Sequence, residues 1–532
     1  MADRYWVSPI NDAWDATAGL KWSTTDGGVG GAAEPTASDN VFFTASFATQ
    51  CTVSGARVCN NLDFTGYAGT FTGSGGLTIS GSLTLGAAMT RTYTGAITFD
   101  STATGKTIAS NAITLASAIT FNGVGGAWTL ADAFVTTGSV TLTNGAFVDG
   151  GFAVTANAFL SNNTNTRTLT KTGNWIITGT GACFNCNSTP GLTLTDSGTL
   201  TFTDNSASAR TLSFGVAASG PEWGNVVVNA GTGTLTLNSS GSSVNSVTLT
   251  GYAGAQQNGG IRYRGSYTYG AGQTDAATAA LSYVGTSGTG TLTTNGVSLS
   301  RNVTCAGVGG TLALGGALTT SLAIIVTEGT FTTNNHNTQS STFQMTGSNT
   351  KVANLGSSTL TLTNTGSITS IATTGTTLNA GTSTFKATDT SSASVTFAGN
   401  GFTFANLWFA RGTSTGTNTI TGANTFADIK DDGSVAHTLT LPAGVTTTTG
   451  TFTVSGNAGQ LITLASSTPG TQATLAKTGG GTVSRNYLAI SDSAATPANT
   501  WYAGANSEND GNNSGWTFQD ETSALLGFFF MP

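Results

Sequence analysis

The sequence predicts an all-β protein, an elongated parallel β-helix or β-solenoid of short strands closed by distinct N- and C-terminal capping segments. Three observations carry this expectation. Apolar–Thr–apolar units recur along the chain. Gly, Asn or Ser interrupts them every ~6 to 10 residues, the punctuation expected of turns. One long segment returns at an offset of about 184 residues, and repetition on this scale marks stacked architectures.

The alternation is plain in Leu77-Thr-Ile79, Leu83-Thr-Leu85, Ile97-Thr-Phe99, Ile119-Thr-Phe121, Val140-Thr-Leu142, Leu192-Thr-Leu194 and Leu235-Thr-Leu237. A period of two in Thr and branched or aromatic residues gives a strand with one buried and one hydroxylated face. No stretch keeps a period of 3.6, so helix content is expected to be very low. Strands this short and close suit coils of roughly 18 to 24 residues, each pairing with the coils above and below at ~4.8 Å. Roughly 20 such coils would make a rod ~100 Å long. Stacked Asn and Thr side chains would fix the register.

Composition removes other classes. Only 8% of the 532 residues are charged, against about a quarter in ordinary soluble domains. Disorder does not fit 38% hydrophobic residues, 27 Phe and only 8 Pro. A net charge of −7 with 17 basic residues thinly spread gives no nucleic-acid surface. The opening Met1-Ala-Asp-Arg-Tyr-Trp6 has no basic-then-apolar leader, and no run approaches the ~20 apolar residues of a membrane span. Neither export by such a leader nor membrane insertion is expected.

Residues 1–45 form a Trp-rich N-terminal segment in which Trp6, Trp14 and Trp22 fall eight apart. It is expected to cap the exposed end coil, and the same indoles could dock on a partner. Residues 46–230 are the first copy of the repeat and 231–414 the second. Gly66-Tyr-Ala-Gly69 returns as Gly251-Tyr-Ala-Gly254, Asn111-x-Ile113-x-Leu115 as Asn295-x-Val297-x-Leu299, Val124-Gly-Gly126 as Val308-Gly-Gly310, and Gly145-Ala-Phe147 as Gly329-Thr-Phe331. Apolar and glycine positions recur, so the copies are read as preserving coil geometry. A truncated third copy covers 415–477 and a C-terminal cap 478–518. Residues 519–532 are a polar then apolar tail, and Leu525, Leu526, Phe528, Phe529 and Phe530 are expected to bury against this chain, a sister subunit or a different protein.

Chemistry-bearing residues are few. His336 and His437 stand in Thr/Asn-rich contexts without a metal or triad motif. Cys183-Phe-Asn-Cys186 lacks the second pair of a zinc site, and Cys51, Cys59 and Cys305 do not supply it. Free buried thiols are expected, with a Cys51–Cys59 disulfide the lesser alternative. Asp428, Asp431 and Asp432 are the closest acidic grouping, but they read as a solvated turn rather than the paired carboxylates of glycoside chemistry. Glu508, Asp510 and Asn512 lack a calcium-loop pattern. Arg262, Tyr263, Arg264, Tyr267 and Tyr269 are the local concentration of basic and aromatic side chains. They would either contact a glycan or other surface, or form an aromatic strand pair with outward arginines. No catalytic residue, cofactor or metal is expected.

The opening Arg4-Tyr-Trp-Val7, Trp14, Lys21-Trp-Ser23, Gly27-Gly28, Pro35-Thr and Asp39-Asn-Val-Phe42, with the closing Gly481-Thr-Val, Leu488-x-Ile490-x-Asp492, Thr500-Trp-Tyr-Ala-Gly504 and Gly511-Asn-Asn-Ser-Gly-Trp516, resembles the terminal signatures of β-strand-repeat virion proteins of tailed bacteriophages, which have relatives among bacterial surface repeat proteins. The resemblance implies a non-enzymatic tail fibre, spike or capsid-decorating protein, made in the host cytoplasm and displayed on the particle exterior. Its implied partners are other virion proteins of the capsid or tail, sister subunits, with a trimer as the expected oligomer, and a host surface glycan. The alternatives are a bacterial surface adhesin or sheath protein, and a polysaccharide-degrading tailspike.

Overall fold

The computed structural model describes residues 2–15, 20–188, 190–215, 222–239, 241–257 and 259–521. Among these, every element longer than one residue is a β-strand, and the strands stack as parallel coils: the chain is a β-solenoid. No helix of the described residues is long and apolar enough to cross a membrane. The chain divides into two compact units, Met1–Thr274 and Asp275–Pro532.

In the first unit the inward apolar column runs Leu77, Ile97, Ile119, Val140, Phe159, Phe184, Leu212, Leu237, each residue paired with the next. Successive partners are 19 residues apart at the tightest, Val140 to Phe159, and 28 at the widest, Phe184 to Leu212. Some coils thus exceed the predicted length, and in the widest the register shifts between Gly181 and Phe184. One residue along from this column, Thr78, Thr98, Thr120 and Thr141 form the outer hydroxyl column. Inside, stacked rings fill the coil interior: Phe121 lies 5.2 Å from Phe99 and 4.6 Å from Phe147. Burying each ring is worth roughly 2 to 3 kcal/mol in apolar transfer.

In the second unit a comparable inward column runs Leu360, Phe385, Leu407, Ile429, Phe452. Strand pairing continues across the segment limits read from the sequence. Val226 pairs with Val247 across 230/231, Val395 with Asn418 across 414/415, and Ala473 with Ser493 across 477/478. Repeat limits are therefore not packing limits, since each coil needs a neighbour on both sides to satisfy its backbone.

The 184-residue repeat is carried into the register. Strand Ile119–Leu130 pairs with Ser139–Val148 through a bulge: Phe121 faces Leu142, Asn122 faces Asn144, and pairing resumes at Ala127 with Ala146. In the second unit Cys305 faces Val326, Ala306 faces Glu328, and pairing resumes at Thr311 with Thr330. The backbone specials recur too. Asn111 and Asn295 have φ of 47° and 49°, and Gly145 and Gly329 have φ of 77° and 74°. At these two glycines a Cβ would lie 2.4 Å from the Gly123 oxygen and 2.0 Å from the Gly307 oxygen, so neither admits a side chain.

Candidate functional site

The N-terminal indoles are interior. Trp22 packs 5.3 Å from Trp6 and 5.1 Å from Trp14, with Phe43 beside all three. None of the three indoles exceeds 2% exposure, so they close the end of the coil interior and offer no face to a partner. Strand Asp3–Trp6 lies between Asn40–Phe42 and the antiparallel Trp22–Ser23, which points Trp6 and Trp22 into the core. The docking reading of Trp6, Trp14 and Trp22 is thereby corrected. The apolar groups this cap turns outward are Ile10, Leu20 and Val29, exposed at loop tips. Leu525, Leu526, Phe528, Phe529 and Phe530 lie outside the described residues.

The tyrosine cluster is corrected in the same way. Ile261 and Tyr263 share the inward phase, as do Tyr267 and Tyr269, and all four are buried. The rings pack on one another at 5.5 Å and 5.0 Å. Only Arg262 and Arg264 reach the surface, and Arg264 is paired with Glu222 and donates to the Trp223 carbonyl at 2.8 Å.

The acidic group separates rather than converges. Asp428 stands in an outer column with Asn406 and Thr451, and exposed Asp432 pairs with Lys430 at 3.3 Å. Asp431 points inward and is buried, not solvated. Its Oδ2 accepts from Asn418 Nδ2 at 2.8 Å and from His437 Nε2 at 3.0 Å, while His437 Nδ1 donates to the Val435 carbonyl at 2.8 Å. Arg411 extends the chain, donating to Asn418 Oδ1 at 2.9 Å and pairing with Asp389 at 3.2 Å. Burial alone would lower the His437 pKa, but the hydrogen bond and charge of Asp431 and the Val435 carbonyl outweigh it and hold the pKa above its ordinary value. Both ring nitrogens face acceptors, so the imidazolium is the form that fits. Asp431, His437, Asn418 and Arg411 are all buried, and the network ties neighbouring coils together.

All five cysteines are free and buried. Glu508 and Asp510 are exposed, and Asn512 beside them donates to Asp492 of the neighbouring coil at 2.6 Å. Among the described residues no three of His, Cys, Asp and Glu are grouped to hold a metal. Trp408, which the sequence reading passed over, faces outward between Lys386 and Lys430, whose ammonium groups lie 4.0 Å and 4.2 Å from the ring centre on the neighbouring coils. Both faces of this indole are covered, so it stacks on nothing else.

A recessed surface sits on the bulge that both units share. In the second unit Val308 and Gly309 on one coil and Ser348, Asn349 and Thr350 two coils on flank the tight bulge at Glu328–Thr330. Walls two coils apart are ~10 Å from one another. The depression is about 520 Å³. Its far rim is held from beneath by Lys351, fully buried, whose Nζ donates to the carbonyls of Gly347, Asn349 and Thr374 at 2.8, 3.1 and 2.9 Å.

No protein-family model, no curated protein and no solved structure matches this chain.

The signal that could have found this surface was already in the repeat. Between the copies, interior residues changed, Phe121 to Cys305 and Trp128 to Leu312, while Gly123-Val-Gly-Gly126 and Gly307-Val-Gly-Gly310 stayed identical. Backbone oxygens of the preceding coil explain glycine at 123, 126, 307 and 310. They do not explain an exposed valine, and Val124 is 68% and Val308 58% exposed.

Proposed function

We propose that this chain is a structural protein of tailed-bacteriophage particles, a fibre, spike or capsid-decorating element displayed on the exterior and able to touch the host surface. The observation that carries this reading is the division of labour across each strand. Outward positions form registered columns of hydroxyl and amide groups, such as Thr78, Thr98, Thr120 and Thr141, over an interior of stacked rings. Such a surface is wet and weakly charged, which suits a protein used for reach and contact. The resemblance of both end segments to virion repeat proteins supports the same reading. The divergence of Asp428, Asp431 and Asp432 supports a non-catalytic role, since carboxylate-assisted sugar cleavage needs two such groups facing one bond at ~5 to 9.5 Å. Sister subunits, as a trimer, and other capsid or tail proteins are the partners proposed.

Immunogold electron microscopy with antibodies to the purified chain tests this on cultures of the host carrying the gene. Label on tails or capsids is expected. Label confined to the cell envelope would replace the reading with that of a bacterial surface adhesin.

A further inference from the structure

We propose that the depression around Glu328 in the second unit binds a neutral oligosaccharide, with Glu328 and Asn349 taking its hydroxyls and Val308 its apolar ring face. The inference deepens the host-contact reading and rests on it only for the source of the sugar.

The size fits, since small-ligand sites commonly occupy about 300 to 1,000 Å³. The chemistry fits better. Glu328 is half-buried on the floor of the depression, and among the described residues its carboxylate makes no hydrogen bond or ion pair. The side chains of Ser348, Asn349 and Thr350 on the rim are likewise without hydrogen-bond partners there. A carboxylate only accepts, and its two oxygens match a pair of adjacent hydroxyl donors; the Asn349 amide offers both roles. Val308 supplies the apolar contact that orients a ring against such polar groups.

The lining contains no Lys or Arg, which argues against phosphate, nucleic acid or an acidic glycan. A single carboxylate is too few ligands for calcium. The rim is preorganised, because Lys351 fixes the carbonyls of Gly347 and Asn349 from within, and a fixed rim spares the ordering cost of binding.

The first unit supplies an internal comparison. At the positions of Ala306 and Glu328 it carries Asn122 and Asn144, and Asn144 donates to Asn122 at 2.8 Å. On its rim Asn163 donates to the Leu142 carbonyl at 3.2 Å and Asn165 to that of Thr143 at 3.1 Å. The amides of that surface are therefore already taken up within the chain. Going from the first copy to the second, the pair Asn122–Asn144 is replaced by Ala306 and Glu328, which removes the internal partner and installs an acceptor facing solvent.

Saturation-transfer difference NMR on the full chain with a panel of glucose, galactose, mannose, N-acetylglucosamine, cellobiose and lactose tests this. At least one sugar is expected to receive saturation, with binding weakened about tenfold or more in both Glu328→Ala and Asn349→Ala and unchanged in Asn144→Ala. Both substitutions lie on the outer surface, and unchanged circular dichroism will show that the variants fold. No transfer to any sugar of the panel, or equal transfer in Glu328→Ala, would overturn the inference, as would loss in Asn144→Ala alone. A chain found on particles but blind to these sugars would lose this site and keep its proposed role; a sugar-binding chain absent from particles would do the reverse.

Discussion

Arg167 and Lys351, 184 residues apart in sequence, grip the same two carbonyls counted from their own positions. Arg167 Nη1 donates to Asn165 at 2.9 Å and Pro190 at 3.0 Å, two residues back and twenty-three ahead; Lys351 Nζ donates to Asn349 at 3.1 Å and Thr374 at 2.9 Å, the same steps. Both side chains are inside the coil, at 1% and 0% exposure. A buried cation here serves as an internal clamp on turns whose carbonyls have no strand partner.

Replacing the clamp with an apolar group of similar length leaves those carbonyls buried and unpaired. Lys351→Met should cost about 3 kcal/mol, whereas Lys351→Arg should stay near the wild-type value because arginine already fills the equivalent station at 167. Urea unfolding followed by fluorescence measures both.

These clamps show where sequence reading stopped. The strands themselves were legible, because Thr alternates with large apolar residues and only one phase can face inward. The repeat was legible from glycines and asparagines whose positive φ the bulges and turns demand, as at Gly145, Gly329, Asn111 and Asn295. Buried charges were not, since a lone Lys or Arg in a polar chain is ordinarily a surface residue. Phase would have found them: Arg167, Leu169 and Lys171 alternate inward together, as do His437, Leu439 and Leu441. The same test applied to Ile261-Arg-Tyr263 puts the tyrosine inside and the arginine out. The recessed surface escaped notice because it is made by residues two coils apart.

The N-terminal tryptophans are core, and their removal should read as lost stability. Trp14, with no exposed surface, should cost about 3 to 5 kcal/mol on replacement by Ala. Thermal melting will show it; an unchanged melting temperature would return this segment to the role of a docking surface.

His437 makes the second unit sensitive to pH, in a defined direction. Its pKa in the folded chain is raised by Asp431 and the Val435 carbonyl against the opposing effects of burial and Arg411. The stabilisation is therefore complete below the unfolded value of about 6.5 and is lost as pH climbs through the raised folded value. Melting temperature should fall over that interval in the wild type. His437→Gln should start lower and lack this component of the slope.

The five buried thiols should be inert in the folded chain. Burial pushes the Cys183 and Cys305 pKa values up to about 11, which leaves little thiolate at neutral pH. Titration with a thiol-reactive chromogen should register almost none in buffer and all five in urea. Prompt reaction without urea would place at least one thiol at the surface.

Mass spectrometry of gradient-purified phage particles from the host carrying this gene tests the proposed role most directly. Peptides of this chain should co-purify with the major capsid and tail proteins in constant proportion across the particle peak. Their absence from that peak, with recovery in the cell-envelope fraction, would contradict the proposal.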